Sequence, residues 1–191
     1  MARNVEIKAR LADYQTQFDL AHALCAGSGE RIHQVDVFFR CERGRLKLRL
    51  FDDGHGELIF YTRDNEAGPK LSDYALAPTD DPASLREALA RAYGELATIE
   101  KERMLLMHGR TRIHLDRVRG LGDFLELEVV LEEGEDVSSG ERQAAQLMEK
   151  LAIGEESLIV CAYVDLQCHS AVPAENSRLG QPSDKQVGLR R

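Results

Sequence analysis

Several short segments of this chain alternate apolar and charged residues, and the charges along one segment mostly share a sign. Arg45, Lys47 and Arg49 alternate with leucines in residues 45–51, and Glu126 and Glu128 alternate with apolar residues in 123–132. Successive side chains on a strand point to opposite faces, so each segment has one apolar and one charged face. A sheet with one solvated side is the alternative, although such a side usually mixes charge signs. The pattern therefore predicts strands whose charged faces bind a ligand.

The same pattern divides the chain into strands and helices. Helices are predicted over 14–26, 83–95 and 140–152, the last capped by Ser138 or Ser139. Residues 157–167 form a last apolar element that fits either a helix or a strand. Strands are predicted over 3–11, 32–41, 45–51, 57–64, 70–77, 98–107, 110–117 and 123–132.

Many antiparallel strands with few helices indicate an α+β fold, and closing the sheet into a barrel would remove its edges. Closure also places alternate side chains inside, so the charged faces would line a polar tunnel. The helices would then cover the apolar outer face. Residues 170–191 are rich in Pro, Ser, Gly, Gln and charge. They predict a disordered and dispensable tail after a folded domain over 1–169.

Composition restricts the function classes. No apolar run is long enough to cross a membrane, and MARNVEIK lacks the apolar core of a signal peptide, so a cytoplasmic protein without membrane contact is expected. Four cysteines without a CxxC pair argue against a disulfide framework or a zinc site. The net charge of −8 disfavours nucleic-acid binding. The strands rich in Lys and Arg are therefore unusual in a chain whose overall charge is negative.

The charged faces carry the chemistry. Arginine binds phosphate oxygens in pairs, whereas lysine acts as a point charge. Cations gathered in one cavity would repel one another, so an anion such as a triphosphate would be needed to offset them. Carboxylates are suited to Mg²⁺ or Mn²⁺, which can bridge phosphate oxygens. The alternative for any single member is a solvated surface charge. The strand cations are Lys47, Arg49, Arg63, Lys70, Lys101, Arg103 and Arg112, and the carboxylates are Glu6, Asp116, Glu126 and Glu128.

Two uncharged groups share these faces. His114 lies between Arg112 and Asp116 in the alternation. It fits a proton shuttle, or a structural hydrogen bond with no catalytic part. Tyr61 shares a face with Arg63, where it fits either a platform for a base or a core residue.

Five segments, in order, resemble the CYTH superfamily of triphosphate tunnel metalloenzymes, over residues 3 to 167. The first four are NVEIKAR, which is similar to the ExExK signature, QVDVFF, LKLRL and KER. The fifth is HLDRVRGLGDFLELEV, which most resembles the class IV adenylate cyclase-like branch. The superfamily also includes thiamine triphosphatases, tripolyphosphatases and RNA triphosphatases.

The resemblance implies an eight-stranded antiparallel tunnel that binds a small-molecule triphosphate with one or two Mg²⁺ or Mn²⁺ ions. It places Lys8 near the reactive phosphate as a catalytic group. Asn4 departs from the signature, because family members have a glutamate there, and this implies a weaker second metal position. The resemblance assigns metal binding to Glu6, Asp116, Glu126 and Glu128, and phosphate binding to Lys8, Lys47, Arg49, Arg63, Lys70, Lys101, Arg103 and Arg112.

Three functions remain open. The first is a metal-dependent hydrolase of a small organic or inorganic triphosphate. The second is an adenylate cyclase, in which the 3′-hydroxyl of ATP attacks in place of water. The third is a non-catalytic triphosphate-binding or nucleotide-binding module, which the uncharged Asn4 makes plausible. For each, the expected form is a monomer or a homodimer.

Overall fold

A computed structural model describes residues 2–25, 27–63 and 68–170. Within these residues, eight antiparallel strands close into a barrel in the order β1-β5-β4-β3-β2-β6-β7-β8. The predicted α+β barrel is therefore confirmed. The strands are β1 (Ala2–Arg10), β2 (Glu30–Phe39), β3 (Arg45–Phe51), β4 (Gly56–Arg63), β5 (Lys70–Thr79), β6 (Glu95–His108), β7 (Thr111–Val118) and β8 (Gly122–Val130).

Four α-helices accompany the strands in the described part of the chain: α1 (Tyr14–Leu24), α2 (Pro82–Tyr93), α3 (Val137–Lys150) and α4 (Tyr163–Ser170). The third helix begins earlier than predicted, and the expected serine cap is wrong. Asp136 caps this helix instead, because its carboxylate accepts a hydrogen bond from the backbone N–H of Ser138 at 3.2 Å. None of the described helices is both long and apolar enough to span a membrane.

Three of the helices cover the outer face of the barrel, as predicted. Helices α1 and α3 contribute Ala21, Leu147 and Leu151 to a core with the outward leucines and isoleucines of β1, β7 and β8. Helix α2 packs Leu85 and Leu89 against β2 and β3. Helix α3 approaches β1 closely at Gly140, where an added Cβ would lie 2.8 Å from a methyl group of Val5.

The barrel interior differs from a continuous polar tunnel. At one end the inward residues Phe38, Val118 and Phe124 form an apolar core with Tyr163 and its neighbours. The element predicted over 157–167 supplies this closure. Leu158 forms a single bridge to Ala9, and α4 follows. The tail was predicted over 170–191. Ser170 is the last residue of α4, and residues 171–191 lie outside the described residues.

Candidate functional site

A cavity inside the barrel is lined by residues of all eight strands together with Ala162 and Tyr163. The alternation in the sequence correctly predicted the inward orientation of the charged faces. The side chain of Arg63 lies outside the described residues, and only its backbone pairing with Ser72 is seen. The charged residues that line the cavity are Glu6, Lys8, Asp36, Lys47, Arg49, Lys101, Arg103, Arg112, Glu126 and Glu128.

Asp36 on β2 organises cations of the two neighbouring strands, β3 and β6. Its carboxylate accepts hydrogen bonds from Lys47 Nζ at 2.9 Å and from Arg49 Nε and Nη2 at 2.8 and 3.1 Å. Lys101 Nζ lies 3.6 Å away. Burial alone would raise the pKa of Asp36, but Arg49, Lys47 and Lys101 reverse that effect and hold this pKa well below its usual value. Asp36 therefore stays ionised and fixes the geometry of these cations.

The sequence analysis did not single out Asp36. The residue lies between Val35 and Val37 in QVDVFF, so the alternation that revealed the other inward charges applied to it as well. A lone carboxylate on an otherwise apolar strand is a weak signal. Its importance emerges only from the register, which places it directly opposite Arg49.

Arg103 and Asp116 form a second buried pair. Arg103 donates from Nε and Nη2 to the two oxygens of Asp116, each at 2.6 Å, and from Nη2 to Glu126 at 2.9 Å. The hydroxyl of Tyr163 also donates to Asp116, at 2.9 Å. Asp116 is fully buried. Both its oxygens are thus engaged by protein donors, and the structure does not bring it into the cluster of Glu126 and Glu128 described below.

Lys101 lies between these two carboxylates. Its Nζ is 3.6 Å from Asp36 and 3.6 Å from Asp116, too far for a strong hydrogen bond to either. Burial, with the nearby charge of Arg103, lowers the pKa of Lys101 to about 7. A phosphate oxygen in the cavity would favour its charged form.

Glu126, Glu128 and His114 gather on β7 and β8. Each offers one ligand atom, and these three atoms lie within 4.8 Å of one another. Lys8 Nζ lies 2.9 Å from Glu126, and Arg112 Nη1 lies 3.0 Å from Glu128. Burial would raise the pKa of Glu126, but Lys8 is the foremost of the neighbours that hold it well below the usual value. The pKa of Glu128 is lowered as well, so both carboxylates are ionised. Lys8 and Arg103 each donate to one oxygen of Glu126, so an ion would share these oxygens with the two cations.

The first strand adds further oxygen atoms to this region. Glu6 is the register partner of Glu128, so two carboxylates face each other across neighbouring strands. Like charges placed opposite each other in a sheet destabilise it. Lys70, the register partner of Glu6 on the other side, and Arg112 beside Glu128 are the protein cations nearest in the register to this pair. The side-chain oxygen of Asn4 is buried and has no hydrogen-bond partner among the described residues. These donors fit a divalent cation, because hard oxygen ligands and an unsatisfied buried amide would both gain from one.

The charge balance of the cavity differs from the expectation of strong repulsion. Most lumen cations lie within 3.6 Å of a carboxylate: Lys8, Lys47, Arg49, Lys101, Arg103 and Arg112. The carboxylates offset the repulsion among these cations, a role that the sequence analysis assigned to a bound anion. A triphosphate would therefore enter a preorganised network and compete with Asp36 and Glu126 for their cations.

The segment after α3 holds two of the site lysines. Lys70 is buried and donates to the backbone carbonyl of Val160 at 2.9 Å. The ammonium of Lys8 lies 3.7 Å from the centre of the Tyr163 ring, a cation–π contact. Sequence reasoning missed Tyr163, because nothing local to residues 157–167 indicates which side chain enters the barrel.

Comparison with known proteins agrees with this geometry. The CYTH domain family matches residues 2–163. A protein of Pyrococcus horikoshii has a similar structure, with a TM-score of 0.76 at 20% identity over 85% of this chain and 98% of its own. A Vibrio parahaemolyticus protein proposed to be an adenylate cyclase has a TM-score of 0.73 at 17% identity, over 86% of this chain and 97% of its own.

A third similar structure comes from Hippeastrum and is described as having a dominant triphosphatase activity. Its TM-score is 0.65 at 12% identity, over 92% of this chain and 99% of its own. No curated protein sequence matches the chain. At these identities the solved structures establish the fold alone. Because the family match extends over most of the sequence and its charged barrel interior is present, the chain belongs to the CYTH domain family.

Proposed function

We propose that this protein is a metal-dependent hydrolase of a small organic or inorganic triphosphate. One observation carries the proposal. A single buried cavity holds arginines and lysines on β3 and β6 beside a carboxylate cluster on β8. Cations bind phosphate oxygens, and carboxylates bind the metal that phosphoryl transfer requires. The carboxylates balance the cations, but charge balance alone would not place Glu6 and Glu128 opposite each other beside Glu126.

The basic residues bind and orient the chain of phosphates. The guanidinium groups of Arg49 and Arg103 are already oriented by Asp36 and Asp116, so each can present its remaining N–H groups to a phosphate without reorganisation. Lys8 lies beside Glu126 and stabilises negative charge on the reacting phosphoryl group. We assign supporting phosphate contacts to Lys47, Arg63, Lys70, Lys101 and Arg112.

Glu126 and Glu128, with Glu6 across the strand pair, would hold Mg²⁺ or Mn²⁺. Such an ion would neutralise the negative charge that develops on the phosphates during hydrolysis. Asp116 contributes by positioning Arg103, since both its oxygens accept hydrogen bonds from that side chain. The remaining residues of the cavity exclude bulk water and so strengthen these charge interactions.

A specific observation supports the adenylate cyclase as a second candidate. The residues that β4 and β5 contribute to the cavity lining are uncharged in the described part of the chain: Ile59, Tyr61, Ser72, Tyr74 and Leu76. Tyr61 and Tyr74 are register partners, so their rings occupy one wall. Such a wall suits an organic group better than inorganic tripolyphosphate.

Product analysis tests the proposal. The purified protein is incubated with ATP, tripolyphosphate or thiamine triphosphate and a divalent metal, and the products are separated by chromatography. Release of phosphate is the expected result. Cyclic AMP from ATP would establish the cyclase instead. Tight binding without any product would leave a triphosphate-binding module and overturn the hydrolase.

Replacing Arg49 by alanine should weaken triphosphate binding by about 1.5–3 kcal/mol, because the change removes a charge-assisted contact. Asp36 would keep Lys47 and Lys101 as partners, so the fold should survive. Isothermal titration with tripolyphosphate measures the effect. Arg91→Ala is the matched control, since the Arg91 side chain is 80% exposed outside the barrel. Equal affinities of the two variants would contradict the role of Arg49.

Replacing Asn4 by glutamate should lower the metal concentration needed for half-maximal phosphate release several-fold, because an added negative charge strengthens cation binding. The Asn4 side chain lines the cavity, and its oxygen has no hydrogen-bond partner. Asn4→Gln has the size of glutamate without its charge and serves as the control. Superimposable metal titrations of all three proteins would show that this position is remote from the ion.

A further inference from the structure

His114 on β7 is a buried group without a partner for one of its ring nitrogens. The residue is 3% exposed, and its Nδ1 makes no hydrogen bond to any residue that the structure describes. This nitrogen points towards two carboxylates. It lies 3.8 Å from Glu126 Oε2 and 3.7 Å from Glu128 Oε1. A buried polar atom left unpaired is energetically unfavourable. The arrangement therefore calls for an additional partner at this point.

The spacing of the three side chains fits a shared ion. Nitrogen and oxygen atoms bound to one zinc-like ion at about 2.1 Å stand about 3.4–3.6 Å apart at tetrahedral to trigonal angles. The separations around Nδ1 are close to this range and too long for direct hydrogen bonds. At the right angles of an octahedral Mg²⁺ site, the ligand atoms would stand about 3.0 Å apart. The observed separations of 3.8 and 3.7 Å exceed both values and lie nearer to the tetrahedral and trigonal range.

The chemistry of the donors also discriminates between ions. Mg²⁺ takes oxygen ligands and keeps several waters, whereas an imidazole nitrogen suits divalent transition ions. Three protein ligands, drawn here from one imidazole and two carboxylates, leave a fourth position open, as in zinc sites with three protein ligands. Lys8 and Arg103 on Glu126, with Arg112 on Glu128, compete with any ion here. That competition disfavours a weakly bound ion more than a tightly bound one.

We propose that His114, Glu126 and Glu128 form a mixed nitrogen–oxygen site that selects a divalent transition ion over Mg²⁺. The role of this ion in hydrolysis rests on the proposed function, whereas the binding site itself does not. The inference restricts the bound metal to the divalent transition ions. His114 is then a metal ligand, and neither of the two roles considered from the sequence applies to it.

Metal binding without a triphosphate tests the site. The metal-free protein is titrated with Co²⁺, whose visible absorption reports its coordination, and with Zn²⁺ and Mg²⁺ by calorimetry. We expect one tight Zn²⁺ or Co²⁺ per chain and at least 100-fold weaker Mg²⁺. His114→Phe should weaken Zn²⁺ and Co²⁺ binding at least tenfold and change Mg²⁺ binding less than threefold. Transition-ion binding within twofold of wild type in this variant would overturn the proposal.

His33→Gln is the control, because His33 also lies near two carboxylates, Asp52 at 2.7 Å and Glu100 at 3.6 Å, on the barrel exterior. Loss of the tight ion in this variant, but not in His114→Phe, would place the ion outside the cavity and overturn the proposal. If His114→Phe does not fold, pulsed EPR of the wild-type protein with one equivalent of Mn²⁺ decides. Coupling to an imidazole nitrogen is expected, and its absence would refute the site.

These measurements are independent of turnover. A tight transition-ion site together with no product from any triphosphate would retain this inference and remove the hydrolase. Phosphate release that depends on Mg²⁺, together with no effect of His114→Phe on ion binding, would retain the hydrolase and remove this inference.

Discussion

Replacing Asp36 by asparagine should lower the free energy of unfolding by about 3–5 kcal/mol, the cost of leaving buried charges without their partner. Lys47, Arg49 and Lys101 all lie within 3.6 Å of this carboxylate, which is 2% exposed. The amide cannot offset three cations. Urea denaturation of the two proteins measures the difference. A loss below about 1 kcal/mol would show that the cations relax away from one another at little cost.

The stabilising effect of Asp36 should also depend on pH. The pKa of Asp36 is held well below 3.8, so its stabilising effect is fully present above that pH and is lost as the pH falls towards its folded-state pKa. The difference between wild type and Asp36→Asn should therefore narrow as the pH falls below about 4. Above that pH, titration of Lys101, whose pKa of about 7 Asp36 helps to raise, is expected to be the main source of further change. Asp19→Asn is the control, because Asp19 is exposed on α1 and should change stability by no more than about 0.5 kcal/mol.

Replacing Glu128 by glutamine should reduce metal-dependent phosphate release at least about 100-fold, because a ligand of the ion becomes a neutral amide of the same size. Glu128 is the better choice of the two carboxylates on β8. Its partner Arg112 has a side chain that is 37% exposed and can be solvated when the pair is lost. At Glu126 the same change would leave Lys8 and Arg103 short of a buried partner. The fold of Glu128→Gln should therefore survive.

Phosphate release at saturating metal, with circular dichroism to check the fold, measures this effect. Glu133→Gln is the matched control, since it removes an exposed carboxylate just beyond the end of the same strand. Tripolyphosphate binding in the absence of metal should persist in Glu128→Gln, because the phosphate contacts come from other side chains. If the Glu128→Gln protein folds and its turnover stays within threefold of wild type, Glu128 is not a ligand of the ion.

The sequence by itself determined the strands, the helices and the face on which each charge lies. These are local properties. An extended backbone alternates its side chains whatever the partner strand is, so Lys47, Arg49, Glu126 and Glu128 could be assigned to one face from their own neighbours. The CYTH resemblance likewise depended on short segments such as NVEIK and FLELEV, whose order along the chain is visible without a structure.

Tertiary structure alone decided which charges meet. Lys8 and Glu126 are 118 residues apart in the chain, and Tyr163 reaches Asp116 across 47 residues. Such pairings depend on strand register and on closure of the barrel, and alternation does not specify either one. For the same reason Asp36 was overlooked, the oxygens of Asp116 proved to be occupied by Arg103 and Tyr163, and the unpaired nitrogen of His114 became visible only when β7 and β8 were placed side by side.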